Sequence, residues 1–86
     1  MNTFKLTIAS PDGNKFLDQA QMLTARGVDG DLAILAGHIP FITALKPCVC
    51  KIVLADETEK CGTIDGGLLT VSENGVTLLS GSFEWK

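Results

Sequence analysis

The sequence contains little of what membrane-spanning, secreted and nucleic-acid-binding proteins need. No apolar run in the chain approaches the roughly 18–20 residues that cross a bilayer, and the first residues lack the apolar segment of a signal peptide. Seven Lys and Arg residues stand against ten Asp and Glu residues, which gives a net charge of −3. Because sequence-independent phosphate binding depends on clustered basic side chains, we expect neither direct membrane insertion nor a nucleic-acid partner.

The sequence also lacks a recognisable catalytic group. His38 is the only histidine, and no G-x-S-x-G elbow surrounds a serine, so a nucleophile cannot be paired with a base. Asp29 and Asp31 have the i, i+2 spacing of an acid/base or metal pair, but a solvated turn is the favoured interpretation. The glycines Gly66 and Gly67 are not followed by the Lys and Ser or Thr of a phosphate-binding loop. We therefore expect no enzymatic activity and no cofactor.

The chain contains three cysteines, which is a small and odd number. Cys48, Cys50 and Cys61 supply too few ligands for a zinc site, and the one histidine lies in a different loop. If a hairpin turns at residues 56–59, Cys61 lies near Ile52 and diagonal to Cys50, where a disulfide is conceivable. The favoured interpretation is that these are reduced, buried thiols that act as small apolar side chains.

Turn signals and alternating apolar residues run along the whole chain and predict an all-β fold. Phe4, Leu6 and Ile8 alternate with polar residues, and the Asn-Gly of residues 72–75 separates two apolar segments as in a hairpin. The segment 49–54 is apolar on both faces and indicates a central strand. The pattern predicts an antiparallel β-sandwich or flattened barrel of about 8–10 short strands. With 86 residues we expect a single domain, residues 1–86.

One segment is ambiguous. In residues 15–25, KFLDQAQMLTA, the apolar Phe16, Ala20 and Leu23 fall at helical spacing, whereas the alternation expected of a strand is imperfect. The local pattern alone slightly favours a helix.

The most informative stretch is GDLAILAGHIPFITALKP, from Gly30 to Pro47. Two short apolar segments, residues 32–35 and 41–45, flank a Gly, the only His and a Pro, which reads as strand, tight loop, strand. Gly37 is suited to a positive φ. The residues before this stretch, Gly27 to Gly30, are a turn signal, and the glycines at 66 and 67 predict a sharp corner.

This stretch resembles the N-terminal domain of the epsilon subunit of F-type ATP synthases, whose typical pattern is Gly-Glu-Leu-Gly-Ile-Leu-Pro-Gly-His-Ala-Pro-Leu-Leu-Thr-Ala-Leu-Lys-Pro-Gly. The positions that agree include Gly30, Leu32, Ile34, Gly37, His38, Pro40, Thr43, Ala44, Lys46 and Pro47. A second block, GGLLTVSENGVTLLSG from residue 66 to 81, fits the family's two strands and Asn-containing turn. The departures are Asp31 for Glu, Ala33 for Gly, Ala36 for Pro and Cys48 for Gly.

The resemblance implies a β domain throughout, and it assigns the ambiguous residues 15–25 to a strand with a bulge. It covers essentially this chain but about two thirds of a typical family member, whose β domain is followed by a helical hairpin. We expect no C-terminal helical domain here, whether the chain is naturally short or truncated. Since the hairpin is the family's inhibitory and, in some members, ATP-binding element, we expect no inhibition by that route and no bound nucleotide.

The resemblance also implies a mechanical role. In that family the β domain is a non-catalytic rotor part that joins the gamma subunit to the c-ring, so that ion flow is coupled to ATP synthesis. Asp31 and His38 occupy the positions of the residues that meet the c-ring loop; His38 alternatively stabilises its own loop. Phe41, Ile42 and Leu45 are candidates for the gamma contact or for the core. The implied location is the cytoplasmic face of the bacterial inner membrane, as a peripheral part of the complex.

Two other functions are compatible with the sequence. One is an independent all-β module that binds a small ligand or peptide with the His38 loop. The other, less favoured, is a small hydrolase that depends on His38.

Overall fold

Alternating side chains and well-placed glycines divide the chain into β-strands. The computed structural model describes residues 2–37 and 39–86. The strands are β1 (Phe4–Ser10), β2 (Gly13–Gly27), β3 (Gly30–Leu35), β4 (Phe41–Leu54), β5 (Glu59–Ser72), β6 (Gly75–Leu79) and β7 (Phe83–Trp85). No helix that could span a membrane occurs in this described part of the chain.

The strands close into a barrel. The sheet order is β1-β6-β5-β4-β2-β3, and β1 also pairs with β2, so that β1, β6, β5, β4 and β2 form a ring. β3 adds to β2 outside this ring, and β7 adds to β5. The predicted all-β sandwich or flattened barrel is therefore confirmed, with one difference: β1 and β6 pair in parallel, from Leu6 opposite Val76 to Ala9 opposite Leu79.

The strand count is seven among the described residues because three strands are long. β2 has 15 residues, and β4 and β5 have 14 each. Each is long enough to pair with different strands along its two halves. The first part of β2 pairs with β1, and the second part pairs with β3 and β4. The prediction of 8–10 short strands treated the halves of such strands as separate elements.

The ambiguous residues 15–25 lie within β2, and the predicted bulge is present. Between Ala20 and Met22 the register to β4 shifts, so that Gln21 is an extra residue in β2. The inward positions therefore change phase, and Ala20 and Leu23 are both buried at a spacing of three residues. The bulge therefore explains why Ala20 and Leu23 have a helical spacing in the sequence although they lie on a strand.

The core lies inside the barrel and takes one or more side chains from every strand. Leu6 and Ile8, predicted to face inward from β1, are fully buried. The other buried apolar residues are Ala20, Leu23, Ala25, Ile34, Leu45, Cys50, Ile52, Ile64, Leu69, Val71, Val76, Leu78 and Phe83. Phe83 on β7 packs over the backbone of Gly62, where a Cβ would lie 2.3 Å from its ring atom Cζ.

The predicted corner at Gly66 and Gly67 is confirmed as a bend within β5. Gly66 has φ of +112°, and a Cβ on Gly67 would lie 2.2 Å from the carbonyl oxygen of Leu79. The buried hydroxyl of Ser80 lies 2.6 Å from the Gly66 carbonyl oxygen and 3.1 Å from Oδ1 of Asp65. Close approach of the two backbones thus requires glycine at 67.

We expect Gly67→Ala to lower the free energy of unfolding by about 2–3 kcal/mol, since the new methyl group must displace backbone rather than a flexible side chain. Gly81→Ala is the matched control, because its Cβ meets the nearest atom, Oδ2 of Asp65, at an ordinary 3.4 Å. Urea denaturation of both variants measures the difference. Equal losses in the two variants would contradict the proposed steric cause.

Candidate partner-binding faces

The outward side chains of the barrel form two faces with different charge. Successive residues of a strand point to opposite sides, so the residues between core positions define the outer surface. The first, called the uncharged face, is made by two rows of cross-strand neighbours. Its residues are Leu17, Thr7, Thr77, Thr70 and Ile42 in one row, and Ala9, Leu79, Leu68 and Ala44 in the next.

The uncharged face exposes large aliphatic side chains. The exposed fractions are 56% for Leu17, 67% for Ile42, 42% for Leu68 and 46% for Leu79. Leu68 and Leu79 are directly opposite each other and line a shallow apolar groove with Pro11. Contiguous exposed apolar surface of this kind marks an interaction site.

The second, called the charged face, carries ion pairs on β2 to β5. Arg26 Nε lies 2.8 Å from Oδ1 of Asp31, and Lys51 Nζ lies 3.5 Å from Oε1 of Glu59. Val49 is also exposed on the same side of β4 as Lys51. The two faces therefore offer different chemistry to a partner.

Asp31 stands at the start of β3, directly opposite Arg26 on β2. The two-residue hairpin loop from Gly27 to Gly30, predicted as a turn, sets this register. The Asp31 side chain is 76% exposed, so its pair with Arg26 is a surface ion pair that contributes little to stability. The carboxylate is accessible, but it already has a guanidinium partner within the chain.

The predicted site residue His38 lies outside the described residues. Its neighbour Gly37 has φ of +82°, as the sequence predicted, and Ile39 is 79% exposed. These two residues adjoin the β5–β6 turn at Glu73 and the first residues of β1. Asp31 is at the opposite end of β3, about 13 Å from Leu35 at 3.3 Å per residue. Asp31 and the described part of the loop are thus not adjacent.

The three candidates for the gamma contact separate into different environments. Leu45 is buried in the core, and Phe41 packs against the core while partly exposed. Ile42 points outward on the uncharged face. Sequence reasoning missed Leu17, Leu68 and Leu79 on that face. The doublets Leu68-Leu69 and Leu78-Leu79 were the available signal, because one leucine of each pair must point outward on a strand.

The cysteines are free thiols, and the predicted proximity of Cys50 and Cys61 is wrong. Cys61 is opposite Lys51, whereas Cys50 is opposite Gly62, so the two cysteines point to different sides of the sheet. The register differs by one residue from the predicted one because the β4–β5 turn includes Glu57 in a left-handed conformation, with φ of 71°. Within residues 2–37 and 39–86, no three His, Cys, Asp or Glu side chains form a group that would hold a metal ion.

Cys48 and Cys50 have structural roles in β4. The Cys48 Sγ accepts a hydrogen bond from the backbone N–H of Arg26 at 3.4 Å, where the register between β2 and β4 shifts again. Burial, and after it the neighbouring Cys48, raise the pKa of the Cys50 thiol to about 12. Cys50 is therefore a neutral core side chain.

Comparison with known proteins agrees with this architecture. The sequence model of the family described as "ATP synthase, Delta/Epsilon chain, beta-sandwich domain" matches residues 3–86. The barrel with two outer strands that the described residues form fits this description, and the chain belongs to this family.

Curated relatives of this chain carry the name ATP synthase epsilon chain. The sodium ion specific chain of Acetobacterium woodii is 37% identical over 83 residues, which are 96% of this chain and 62% of the relative. The epsilon chain of Wolbachia pipientis subsp. Culex pipiens is 32% identical over 84 residues, which are 98% of this chain and 74% of the relative. The chain thus spans less than two thirds of the Acetobacterium protein.

Solved structures of low identity share the fold. A chain of the Euglena gracilis mitochondrial ATP synthase superimposes with a TM-score of 0.90 at 21% identity, over 96% of this chain and 53% of that one. A chain from the Tetrahymena thermophila central stalk and c-ring structure gives a TM-score of 0.79 at 17% identity, over 92% of this chain and 63% of that one.

We expect the Cys50 thiol to make the domain less stable at alkaline pH. Its pKa is about 12 in the fold and 9.0 as the ordinary value, so only the unfolded chain loses this proton above pH 9. The free energy of unfolding should fall by up to about 1.4 kcal/mol per pH unit in that range. Denaturant titrations from neutral pH upward should show a shallower fall in Cys50→Ala, which lacks this thiol. Identical slopes would contradict this expectation.

Proposed function

We propose that this chain is a non-catalytic rotor part of an F-type ATP synthase, the β domain of its epsilon subunit, and that it joins the gamma subunit to the c-ring. The observation that carries the proposal is the uncharged face on a closed barrel that belongs to the ATP synthase delta/epsilon family. The domain does no chemistry in this role. It transmits torque so that ion translocation is coupled to ATP synthesis.

The uncharged face is the proposed site for gamma. Its rows cross β2, β1, β6, β5 and β4, a width of about 19 Å at 4.8 Å between neighbouring strands. Desolvation of charged side chains opposes the formation of a permanent interface. Burial of threonine and leucine side chains against a partner avoids this cost. Leu69 and Leu78 are the sequence neighbours of Leu68 and Leu79. Both point inward and fill the core directly beneath the face. A load applied at the face is therefore passed to close-packed side chains.

Asp31 and His38 are the proposed contacts to the c-ring loop. Arg26 Nε contacts Oδ1 of Asp31, while the side chain remains 76% exposed. A carboxylate has two oxygens and accepts hydrogen bonds from more than one guanidinium. A basic side chain of a partner loop can therefore bind Asp31 while Arg26 is also bound. The assignment of His38 to the same loop rests on its position in the family pattern.

The rest of the proposal follows from this role. Residues 1–86 act as one domain without a nucleotide or other cofactor. The protein is held at the cytoplasmic face of the bacterial inner membrane through its partners, without inserting into the bilayer.

We expect Leu68→Glu to reduce recovery of gamma with this subunit at least tenfold, because it places an unpaired charge within the uncharged face. Val49→Glu is the matched control: Val49 is exposed to a similar degree, 48% against 42%, but lies on the charged face. Complexes are purified from membranes that carry each variant, and gamma and the c-ring are quantified by mass spectrometry. Equal recovery of gamma with both variants would remove the support for this face. Failure of the wild-type chain to co-purify with either partner would favour an independent binding module.

We expect Asp31→Lys to weaken retention of the stalk on the membrane sector, by about fivefold at low salt and less at high salt, because like charges then face each other. Asp29→Lys changes the net charge equally and lies in the adjacent turn, so it controls for the overall field. Retention is measured by sedimentation of washed membranes across ionic strengths. A loss that is the same for both variants, or independent of salt, would argue against the Asp31 contact.

A further inference from the structure

β3 is an edge strand, and its outer side has no strand partner among the described residues. Its six residues pair with β2 through a register from Gly30 opposite Gly27 to Leu35 opposite Met22. In the sheet order it is the terminal strand, outside the closed ring. Each of the five strands of the ring pairs on both sides over part of its length.

The hairpin register identifies which backbone groups point outward. A two-residue loop closes on a hydrogen-bonded pair, here Gly27 and Gly30, and such pairs alternate along an antiparallel ladder. Leu32 and Ile34 therefore bond to β2. The N–H and C=O groups of Asp31, Ala33 and Leu35 point away from β2, toward the outer side.

This edge lacks the features that usually protect an edge strand. Natural edges carry Lys, Pro or a bulge, or are very short. β7 is only three residues long, and the free part of β2 carries Lys15 and Asp18. β3 has neither Lys nor Pro and no register shift against β2, and the charge of Asp31 is paired with Arg26.

The three outward residues are evenly spaced, which makes the edge complementary to itself. If two β3 strands run antiparallel with Ala33 opposite Ala33 of a second copy, Asp31 of each copy lies opposite Leu35 of the other. All three pairs are then of the hydrogen-bonded type, and about six bonds satisfy the outward groups of both strands. This arrangement has the two-fold symmetry of an isologous dimer.

The side chains also fit this register. Ala33, the smallest side chain of the three, lies at the two-fold axis. The two Asp31 residues are about 13 Å apart, four residues at 3.3 Å, which exceeds the Debye length at physiological salt. We propose that two copies of this chain associate through the outer edge of β3, in the register centred on Ala33.

The association is weak and strengthens with salt. One added strand pair buries less than the roughly 1,000 Å² typical of a stable complex, so the chain should be monomeric near about 10 μM and partly dimeric near about 1 mM. Each copy has a net charge of −3, and screening of that repulsion favours the dimer.

Substitution of Ala33 by residues of opposite charge in two separate variants tests the register. Ala33 is exposed, so Ala33→Lys and Ala33→Glu should both fold as the wild type does, and circular dichroism and thermal denaturation check this. Each variant alone places like charges opposite each other at the axis and should remain monomeric at about 1 mM by sedimentation equilibrium. An equimolar mixture of the two should associate at least as strongly as the wild type.

Amide hydrogen exchange gives an independent measurement on the wild-type chain. The N–H groups of Asp31, Ala33 and Leu35 should exchange at least several-fold more slowly near about 1 mM than near about 10 μM, while those of Leu32 and Ile34 are protected at both concentrations. A wild-type chain that remains monomeric at all concentrations would overturn the proposal. It would also be overturned if the Ala33 variants dimerise normally while Leu68→Glu does not, because self-association would then use the uncharged face.

Discussion

The structure depends on the closure of a ring of backbone hydrogen bonds at β1. This strand pairs with β2 on one side and with β6 on the other, and so joins the two ends of a sheet that would otherwise be open. Closure places Leu6 and Ile8 inside the barrel, where both are fully buried. Among the described residues it also leaves β3 and β7 as the two strands outside the ring.

The closed ring has two outer faces that differ in charge, and this difference is the structural feature that most clearly indicates where partners bind. On the uncharged face, leucine and threonine side chains extend across five strands without an acidic group. On the charged face, Arg26 and Asp31 pair with each other, and so do Lys51 and Glu59. Two faces that differ in charge in this way suit two partners of different chemistry.

The sequence predicted the strands and turns well where a local signal determines them. The Gly27–Gly30 turn, the Asn-Gly hairpin and the bend at Gly66 and Gly67 follow from the backbone freedom of glycine and asparagine, and each is present. The features that were missed have no comparable signal in the sequence. The parallel pairing of β1 with β6 has no local signature, and one left-handed residue, Glu57, shifts the register that decides where Cys61 points.

The candidate site was only partly predictable for the same reason. Asp31 could be identified from the family pattern, but its pairing with Arg26 requires the hairpin register. The uncharged face required the lateral alignment of five strands, since Leu17 and Ile42 are 25 residues apart in sequence and meet in one row only through β1, β6 and β5. His38 remains a prediction, because it lies outside the described residues.

The β1–β6 pair has a consequence for how the protein is made. The first strand emerges early from the ribosome, but its second neighbour is complete only at Leu79, almost at the end of these 86 residues. At about 5–20 residues per second, β1 waits for several seconds with one side unpaired. Such long-range pairing slows folding in general. The barrel can therefore close only after its last strands are synthesised.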